Sequence, residues 1–363
     1  MSPKPRIIAS QKSVLSGRGT ASNHPPRFQR LTTLWEDGIE GPSPVTECRA
    51  VQASSIISRN TSPDIPFEQS INPYQGCEHG CIYCYARPTH AYHDLSPGLD
   101  FETRLSYKQN AAEVLNNELA KPGYQCRGIT LGANTDPYQP VEKQLSITRD
   151  ILQVLWETRH PVSIITKGAL VTRDIDILAP MAAEGLASVA VSITTLDDDL
   201  KRTLEPRATS DHARLRTIAS LSEAGIPVTL LASPMIPGLN DAEMERIVAA
   251  SAEAGASSAA YMLLRLPFEV RDLFYEWLHE HYPLKAARII SLLRQCRSGK
   301  DYDSRFGHRM RGQGTYADLL SQRFRIACKK AGVRDGERCR GRTDLFTPPQ
   351  KKGRNCAQID MFS

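Results

Sequence analysis

Three cysteines lie close together in the stretch INPYQGCEHGCIYCYARPTH, and thiolates are ligands that suit zinc ions and iron–sulfur clusters. Three residues separate Cys77 from Cys81, and two separate Cys81 from Cys84. On an iron–sulfur cubane, three protein ligands leave the fourth iron open to a small molecule. A zinc site with three cysteines usually recruits a fourth ligand, for which His79 or His90 could serve. The spacing therefore predicts a metal site of one of these two kinds.

The composition places this site in an ordinary globular chain. Of its 363 residues, 40% are hydrophobic and 23% are charged, and the formal net charge of +5 permits a nucleic-acid partner without arguing for one. No apolar run reaches the roughly 20 residues that cross a bilayer, and the N-terminus carries no signal-peptide pattern. We therefore expect a cytoplasmic protein with no membrane partner. In a reducing compartment, an odd count of nine cysteines favours metal or catalytic roles over disulfides.

The cysteines open a region, residues 69–265, in which short apolar segments alternate with amphipathic ones. The predicted strands are Ser70–Pro73, Gly128–Ala133, Val162–Thr166, Ala187–Thr194, Pro227–Ala232 and Ser258–Leu264. The predicted helices are Tyr107–Ala120, Leu145–Thr158, Asp174–Glu184, Ala213–Ala224 and Ala242–Ala254. This alternation is typical of parallel strands joined by helices, an α/β fold. Six strands favour a partial (β/α)6 barrel of the TIM type, and a doubly wound sheet is the alternative.

An N-terminal extension, residues 1–68, precedes the barrel. It is rich in Pro, Gly, Ser and Arg and shows no sustained helical period. Its apolar residues Phe28, Leu31, Leu34 and Trp35 indicate that part of it packs against the barrel.

A C-terminal segment, residues 266–363, follows the barrel. Helical patterns predict helices at Leu284–Gln295 and Tyr316–Ala331. The segment ends in a basic tail that we expect to be solvated, with Arg338, Arg340, Arg342, Lys351, Lys352 and Arg354. Cys328, Cys339 and Cys356 are too irregularly spaced to favour an auxiliary cluster over isolated thiols.

Polar residues follow the predicted strands, where the carboxyl ends of a parallel barrel carry functional groups. These residues are Asn134, Thr135, Asp136, Lys167, Ser192 and Thr194. Each could bind a polar ligand, although a turn, a surface lysine and hydrogen-bonded core hydroxyls are the ordinary alternatives. Ser192 and Thr194 occupy alternate strand positions and so share one face.

Two later motifs add charged and apolar groups. LEPRA supplies Glu205 and Arg207, which could pair with each other, or Arg207 could bind a carboxylate. SPMIPGLND follows the fifth strand, and its Met235 and Ile236 could form an apolar wall.

The stretch CEHGCIYC, with the aromatic Tyr83 before the third cysteine, resembles the signature of the radical S-adenosylmethionine superfamily. Further stretches resemble a spore photoproduct lyase-like subgroup of bacterial proteins: GRGTASNHPPRF, LGANTDPYQPVEK, ITKGALVTRDIDIL, VSITT, LEPRA and PMIPGLND. The resemblance covers roughly residues 69–265. It implies a partial barrel, a [4Fe–4S] cluster on the three cysteines, and S-adenosylmethionine on the open iron. Reductive cleavage of that cofactor would start radical chemistry on a substrate.

The resemblance also assigns expected contacts to the cofactor. The segment around Asp136 would meet the methionine amino group, Lys167 its carboxylate, and the segment around Met235 the adenine. The complete expected set is Tyr83, Asn134, Thr135, Asp136, Lys167, Ser192, Thr194, Arg207 and Met235. Reduced ferredoxin or flavodoxin is the expected electron donor.

Two other functions stay open at this point. One is radical repair or modification of nucleic acid, and the other is a zinc-stabilised binding module without catalysis. Spore photoproduct lyase uses a cysteine just after its second strand, where this chain has Gly132, Ala133 and Asn134. This difference argues against repair of thymine dimers.

Overall fold

The computed structural model describes residues 18–20, 22–24, 27, 45–336 and 341–350. Its strands are β1 (Glu47–Val51), β2 (Ile57–Arg59), β3 (Gln69–Ile71), β4 (Tyr74–Gln75), β5 (Arg104–Lys108), β6 (Ile129–Leu131), β7 (Val162–Thr166), β8 (Ala187–Ser192), β9 (Val228–Met235), β10 (Ser258–Leu263) and β11 (Arg334–Asp335). Its α-helices are α1 (Asp100–Thr103), α2 (Ala111–Leu119), α3 (Glu142–Leu145), α4 (Ile147–Glu157), α5 (Ile175–Ala183), α6 (Asp198–Leu204), α7 (Asp211–Glu223), α8 (Met244–Glu253), α9 (Val270–His281), α10 (Pro283–Gln295) and α11 (Thr315–Ala331). Among the described helices, none combines the length and apolar character that a bilayer crossing requires.

An eight-stranded sheet forms the centre of the fold, in the order β11-β10-β9-β8-β7-β6-β3-β2. The strands from β3 to β10 in this sheet are parallel and follow one another in chain order, whereas β2 joins the edge antiparallel to β3. A doubly wound sheet would reverse its strand order, and this one does not. The edge strands β2 and β11 do not pair with each other, so the barrel is open. The expected partial barrel is confirmed.

The helices form one outer layer, because α2 packs on α4, α4 on α5, and α7 on α8. Between this layer and the sheet lies the main core, in which the side chains of Leu115, Leu155 and Ile218 have no exposed surface. Burying side chains of this size contributes about 1.5–3 kcal/mol each. A second core surrounds α9 and α10 and includes Ile82 and Phe274. The loop that carries the cysteines thus rests on a packed surface.

Most predicted elements are present, but the predicted helix Tyr107–Ala120 begins too early. Tyr107 belongs to β5, where it pairs with Ala50 in β1 and with Tyr74 in β4. The helix α2 begins only at Ala111. Pairing with strands distant in the chain overrides the local helical pattern here.

A small second sheet, in the order β1-β5-β4, has no counterpart among the predicted elements. Its strand β4 ends two residues before Cys77 and so leads directly into the cysteine loop. Strands β1 and β2 both come from the predicted N-terminal extension. Phe28, Leu31, Leu34 and Trp35 lie outside the described residues.

Candidate functional site

The cysteine loop, residues 77–84, is held in place by backbone hydrogen bonds to two separate elements. The N–H of Cys77 donates to the carbonyl of Phe101 at 2.9 Å. The N–H of Ile82 donates to the carbonyl of Leu204, at the end of α6, at 3.1 Å. The loop therefore has a defined path before any metal is considered.

A buried ion pair supports this loop from behind. The side chain of Arg87 has no exposed surface; its Nη2 donates to Oε1 of Glu102 at 2.6 Å, and its Nε donates to the carbonyl of Cys81 at 3.0 Å. The other carboxylate oxygen of Glu102 accepts the N–H of Gly19 at 2.9 Å. Each of these groups has a partner, which buried charges require.

Two glycines allow the N-terminal segment to lie directly on the loop. A Cβ built on Gly19 would lie 1.7 Å from the carbonyl oxygen of Gly80, so a side chain cannot fit there. Gly80 itself has a φ of +66°, in the left-handed region that favours glycine. The cysteine loop and the segment at residues 18–20 thus meet backbone to backbone.

A cleft of about 970 Å³, including the part open to solvent, lies at the carboxyl ends of the parallel strands. The cysteine loop forms one of its walls. The described residues that line the cleft are Cys77, His79, Cys81, Tyr83, Cys84, Tyr85, Gly132, Asn134, Thr135, Asp136, Ile165, Thr166, Lys167, Ser192, Leu231, Ser233, Pro234, Met262, Leu263, Leu264 and Arg265. All three predicted ligands and six of the predicted cofactor contacts therefore share one cleft.

The donor set fits an iron–sulfur cluster better than a single ion. No three His, Cys, Asp or Glu side chains of the described residues converge closely enough to hold one metal ion. Thiolates on a cubane bind different irons and need not converge on one point. Of the two candidates for a fourth zinc ligand, His79 lies 3.4 Å from Asp136. His90 contacts the carbonyl of Arg104 through Nε2 at 3.1 Å, while its buried Nδ1 has no hydrogen-bond partner.

Burial disfavours free thiolates at this site. It raises the pKa of Cys77 and of Cys84, and it raises the pKa of Cys81 to about 12, with the Glu205 carboxylate adding to the effect. Positive charge from bound iron would offset this cost. Without a bound metal, the buried cysteines are therefore held as neutral thiols.

Asp136 fastens the loop after β6 to the end of β7. Its carboxylate accepts hydrogen bonds from the hydroxyl of Thr166 at 2.6 Å and from the N–H groups of Lys167 and Tyr138 at 2.7 and 2.9 Å. Although burial alone would raise the pKa of Asp136, the His79 imidazole and these donors lower it to about 2. With its oxygens engaged in this way, Asp136 organises the wall of the cleft.

The neighbouring polar residues are held by Asn72, a residue that the sequence motifs did not indicate. The side-chain oxygen of Asn72 accepts the N–H of Asn134 at 2.9 Å. The hydroxyl of Thr135 donates to the carbonyl of Tyr74 at 2.9 Å. Thr135 is therefore already hydrogen-bonded, whereas the side-chain amide of Asn134 has no such partner among the described residues.

Lys167 directly follows β7 and Ser192 is the last residue of β8, so both lie at the carboxyl ends of parallel strands. The Lys167 ammonium lies 5.7 Å from the centroid of the Tyr83 ring and forms no ion pair with a described residue. The carbonyl of Ser192 accepts from Nη1 of Arg214 at 2.9 Å, while its side chain borders the cleft. Both residues thus lie where a polar ligand would meet them.

Tyr83, Thr194, Glu205 and Arg214 form a buried network next to the cysteines. The Tyr83 hydroxyl donates to Glu205, which pairs with Arg214, and Thr194 donates to Glu205 at 2.6 Å. The possible pair between Glu205 and Arg207 is therefore wrong. Thr194 is not part of the described lining of the cleft, and its hydroxyl is hydrogen-bonded within this network.

Arg207 and Met235 also lie outside the described lining of the cleft. Arg207 pairs with Glu78 at 3.2 Å, with its side chain 34% exposed. Met235 is buried in the main core. An extra residue in β9 relative to β10 shifts the register between Tyr261 and Leu263, and such a bulge reverses which side chains face inward. Pro234 consequently lines the cleft in place of Met235.

Arg265 and Tyr85 also line the cleft, and neither was among the predicted cofactor contacts. Arg265 comes two residues after the end of β10, so the rule that located the other polar residues would also have found it. Cys328 is buried in α11, and Cys339 and Cys356 lie outside the described residues.

Comparisons with known proteins bear on the same region. The model of the family described as the Radical SAM superfamily matches residues 71–250. An uncharacterised protein of Mycobacterium tuberculosis strain H37Rv is 36% identical over 233 residues, which cover 64% of this chain and 68% of that protein. An uncharacterised protein of Methanocaldococcus jannaschii is 29% identical over 221 residues, which cover 61% of this chain and 78% of that protein.

A solved structure of spore photoproduct lyase, complexed with a dinucleoside spore photoproduct, has a similar fold. The TM-score is 0.57 at 14% sequence identity, and the match covers 83% of this chain and 87% of that chain. At this identity the likeness concerns the fold alone, and it agrees with the open barrel described above.

Proposed function

This chain belongs to the radical S-adenosylmethionine superfamily, whose members use S-adenosylmethionine and an iron–sulfur cluster, and from that premise we propose that Cys77, Cys81 and Cys84 hold a [4Fe–4S] cluster for reductive cleavage of S-adenosylmethionine. When bound, the cluster supplies one electron that breaks a carbon–sulfur bond of S-adenosylmethionine and so starts hydrogen abstraction from a substrate. The observation that carries this proposal is the single cleft shared by the three thiols and the polar strand-end residues.

The chain's own residues supply binding and orientation. Lys167 offers an ammonium without a carboxylate partner among the described residues, and it would bind the carboxylate of S-adenosylmethionine. The side-chain amide of Asn134 would accept from the methionine amino group. Asp136 keeps both residues in place through its bonds to the loop after β6 and to the backbone of Lys167.

Apolar side chains on the far wall restrict water. Ile165, Leu231, Pro234 and Leu263 line the cleft together with the polar residues. A site that excludes water protects a reactive radical from side reactions and strengthens electrostatic contacts inside it. The apolar wall would also receive the adenosyl group.

Anaerobic reconstitution with iron and sulfide tests the proposal. After reduction with dithionite, the wild-type protein should convert S-adenosylmethionine to 5′-deoxyadenosine, and Cys81→Ala should not. Cys126→Ala is the matched control, because Cys126 lies before β6, outside the described lining of the cleft. Stoichiometric zinc without iron in anaerobically purified protein would contradict the proposal and favour the binding module.

The electron donor and the place of action belong to the same proposal. We expect reduced ferredoxin or flavodoxin to replace dithionite in the assay, as a cytoplasmic enzyme of this class would require. Failure of both proteins to support 5′-deoxyadenosine formation, in an assay where dithionite succeeds, would contradict this donor class.

Radical modification of nucleic acid is a second candidate. It is favoured by the ligand of the similar lyase structure, a dinucleoside spore photoproduct. Binding that depends on phosphate contacts weakens steeply as salt rises. Absence of salt-sensitive binding to DNA and RNA would therefore count against this candidate.

A further inference from the structure

Two cationic side chains line the cleft, and each lies over one of the two tyrosines that flank Cys84 in the chain. Nζ of Lys167 is 5.7 Å from the ring centroid of Tyr83. Cζ of Arg265 is 5.1 Å from the ring centroid of Tyr85. The cleft thus presents two separate positive groups, one after β7 and one after β10.

The contacts of Arg265 are all with neutral groups. Its Nη2 donates to the hydroxyl of Tyr302 at 3.2 Å, and its Nη1 lies 3.9 Å from Sδ of Met310. Its Nε is buried and has no hydrogen-bond partner. Among the described residues, no carboxylate lies within ion-pair distance of this guanidinium.

Such an arrangement costs stability. An unsatisfied buried donor is destabilising, and an unpaired charge beside apolar groups adds to that cost. Leu263, Leu264 and Pro234 border the same part of the cleft. An oxyanion would supply both the missing counter-charge and the missing acceptor, since the guanidinium fork matches carboxylate and phosphate geometry.

The described lining of the cleft supplies no carboxylate partner for Arg265. Asp136 is the acidic residue among the described lining, and its oxygens accept from Thr166, Tyr138 and the backbone of Lys167. S-adenosylmethionine carries one carboxylate, which the proposed function gives to Lys167. Arg265 therefore remains available to bind an anionic group of another molecule.

We propose that Arg265 binds a carboxylate or phosphate group of the substrate, so that the cleft selects anionic substrates. This inference rests on the proposed function and adds a substrate class to it. The hydrogen atom that is abstracted would then lie on a molecule anchored at the end of β10, across the cleft from the group that Lys167 binds.

Residue-specific chemical protection tests this inference. Phenylglyoxal modifies accessible arginines, and mass spectrometry of chymotryptic peptides gives the rate at Arg265 in the anaerobic, reconstituted full-length protein. Inorganic phosphate and acetate are the two anion probes, and glycerol is the uncharged one. Modification of Arg265 should slow about tenfold when a probe fills about nine sites in ten. Arg271, whose side chain is 46% exposed on α9, is the matched control and should not slow.

The results distinguish a phosphate-bearing from a carboxylate-bearing substrate. They also test this inference separately from the proposed function. Stronger protection by phosphate than by acetate assigns a phosphate-bearing substrate, and the reverse assigns a carboxylate. Equal protection by glycerol, equal slowing at Arg271, or no slowing at Arg265 would overturn the inference. A loss of S-adenosylmethionine binding in Arg265→Gln, measured by equilibrium dialysis, would also overturn it by making Arg265 a cofactor contact. Because protection does not depend on turnover, a failure to form 5′-deoxyadenosine tests the proposed function separately.

Discussion

Two buried arginine–glutamate pairs flank the cysteine loop, and they act on different parts of it. Arg87 and Glu102 bond mainly to backbone: Arg87 donates to the carbonyls of Cys81, Pro97 and Gly98 at 2.9–3.0 Å. This pair therefore fixes the path that the chain follows between the cysteines.

In the second pair, Glu205 bonds to the side chains of Tyr83, in the cleft lining, and Thr194, outside it, whereas Arg214 bonds to backbone carbonyls. Glu205 accepts from Tyr83 and Thr194, and Arg214 donates to the carbonyls of Ser192 and Thr209 at 2.9 and 2.8 Å. This pair sets the orientation of the tyrosine ring over which Lys167 lies. The pair Arg87–Glu102 thus positions the cysteine loop, and the pair Arg214–Glu205 orients a side chain on the cleft surface that a cofactor would contact.

The largest effect is expected for Arg87→Met. It leaves Glu102 buried without its counter-charge and removes the bond to the Cys81 carbonyl, which costs about 3–5 kcal/mol in the free energy of unfolding. Iron content after reconstitution should fall with it. Denaturant unfolding and iron analysis give both values. In the control Arg202→Met, which breaks the exposed pair with Asp199, the loss should be under about 1 kcal/mol.

Glu205→Gln should lower stability while iron is retained. Burial alone would raise the pKa of Glu205, but Arg214, Lys167 and the hydroxyl donors lower it to about 2. Because the pKa of Glu205 is lower in the folded than in the unfolded state, the ionised carboxylate stabilises the protein at pH values above the unfolded-state pKa. This stabilisation is lost as the pH falls through the folded-state pKa. The difference between wild type and variant should thus be about 3 kcal/mol at neutral pH and shrink toward pH 2.

Unfolding measured at several pH values between about 3 and 7 checks this expectation. A constant difference across that range would show that the charge of Glu205 is not what stabilises the network. Loss of iron equal to that in Arg87→Met would break the distinction between the two pairs.

The smallest effect is expected for Tyr83→Phe. The ring stays beside Lys167, and only the hydrogen bonds of its hydroxyl to Glu205 and Thr194 are lost, which costs about 1–2 kcal/mol. Affinity for S-adenosylmethionine should fall only a few-fold in equilibrium dialysis, since the cation and the ring remain. A complete loss of binding would mean that the hydroxyl itself contacts the cofactor.

The sequence was sufficient for those parts of the site that depend on local spacing. The cysteines and Lys167 could be located because metal ligands and strand ends leave short, readable patterns. Arg87, Glu102 and Asn72 left no such pattern, since their roles arise from contacts between segments that are distant in the chain. Met235 was expected near the adenine from the family resemblance, whereas in the structure the extra residue in β9 turns Pro234 toward the cleft, and no propensity records such a bulge.

The backbone contact between Gly19 and Gly80 bears on how this protein can be shortened. A boundary drawn from the sequence at residue 68 would discard the donor to Glu102 and uncover the back of the cysteine loop. A shortened protein that begins at the barrel would therefore lose a contact that supports the cysteine loop.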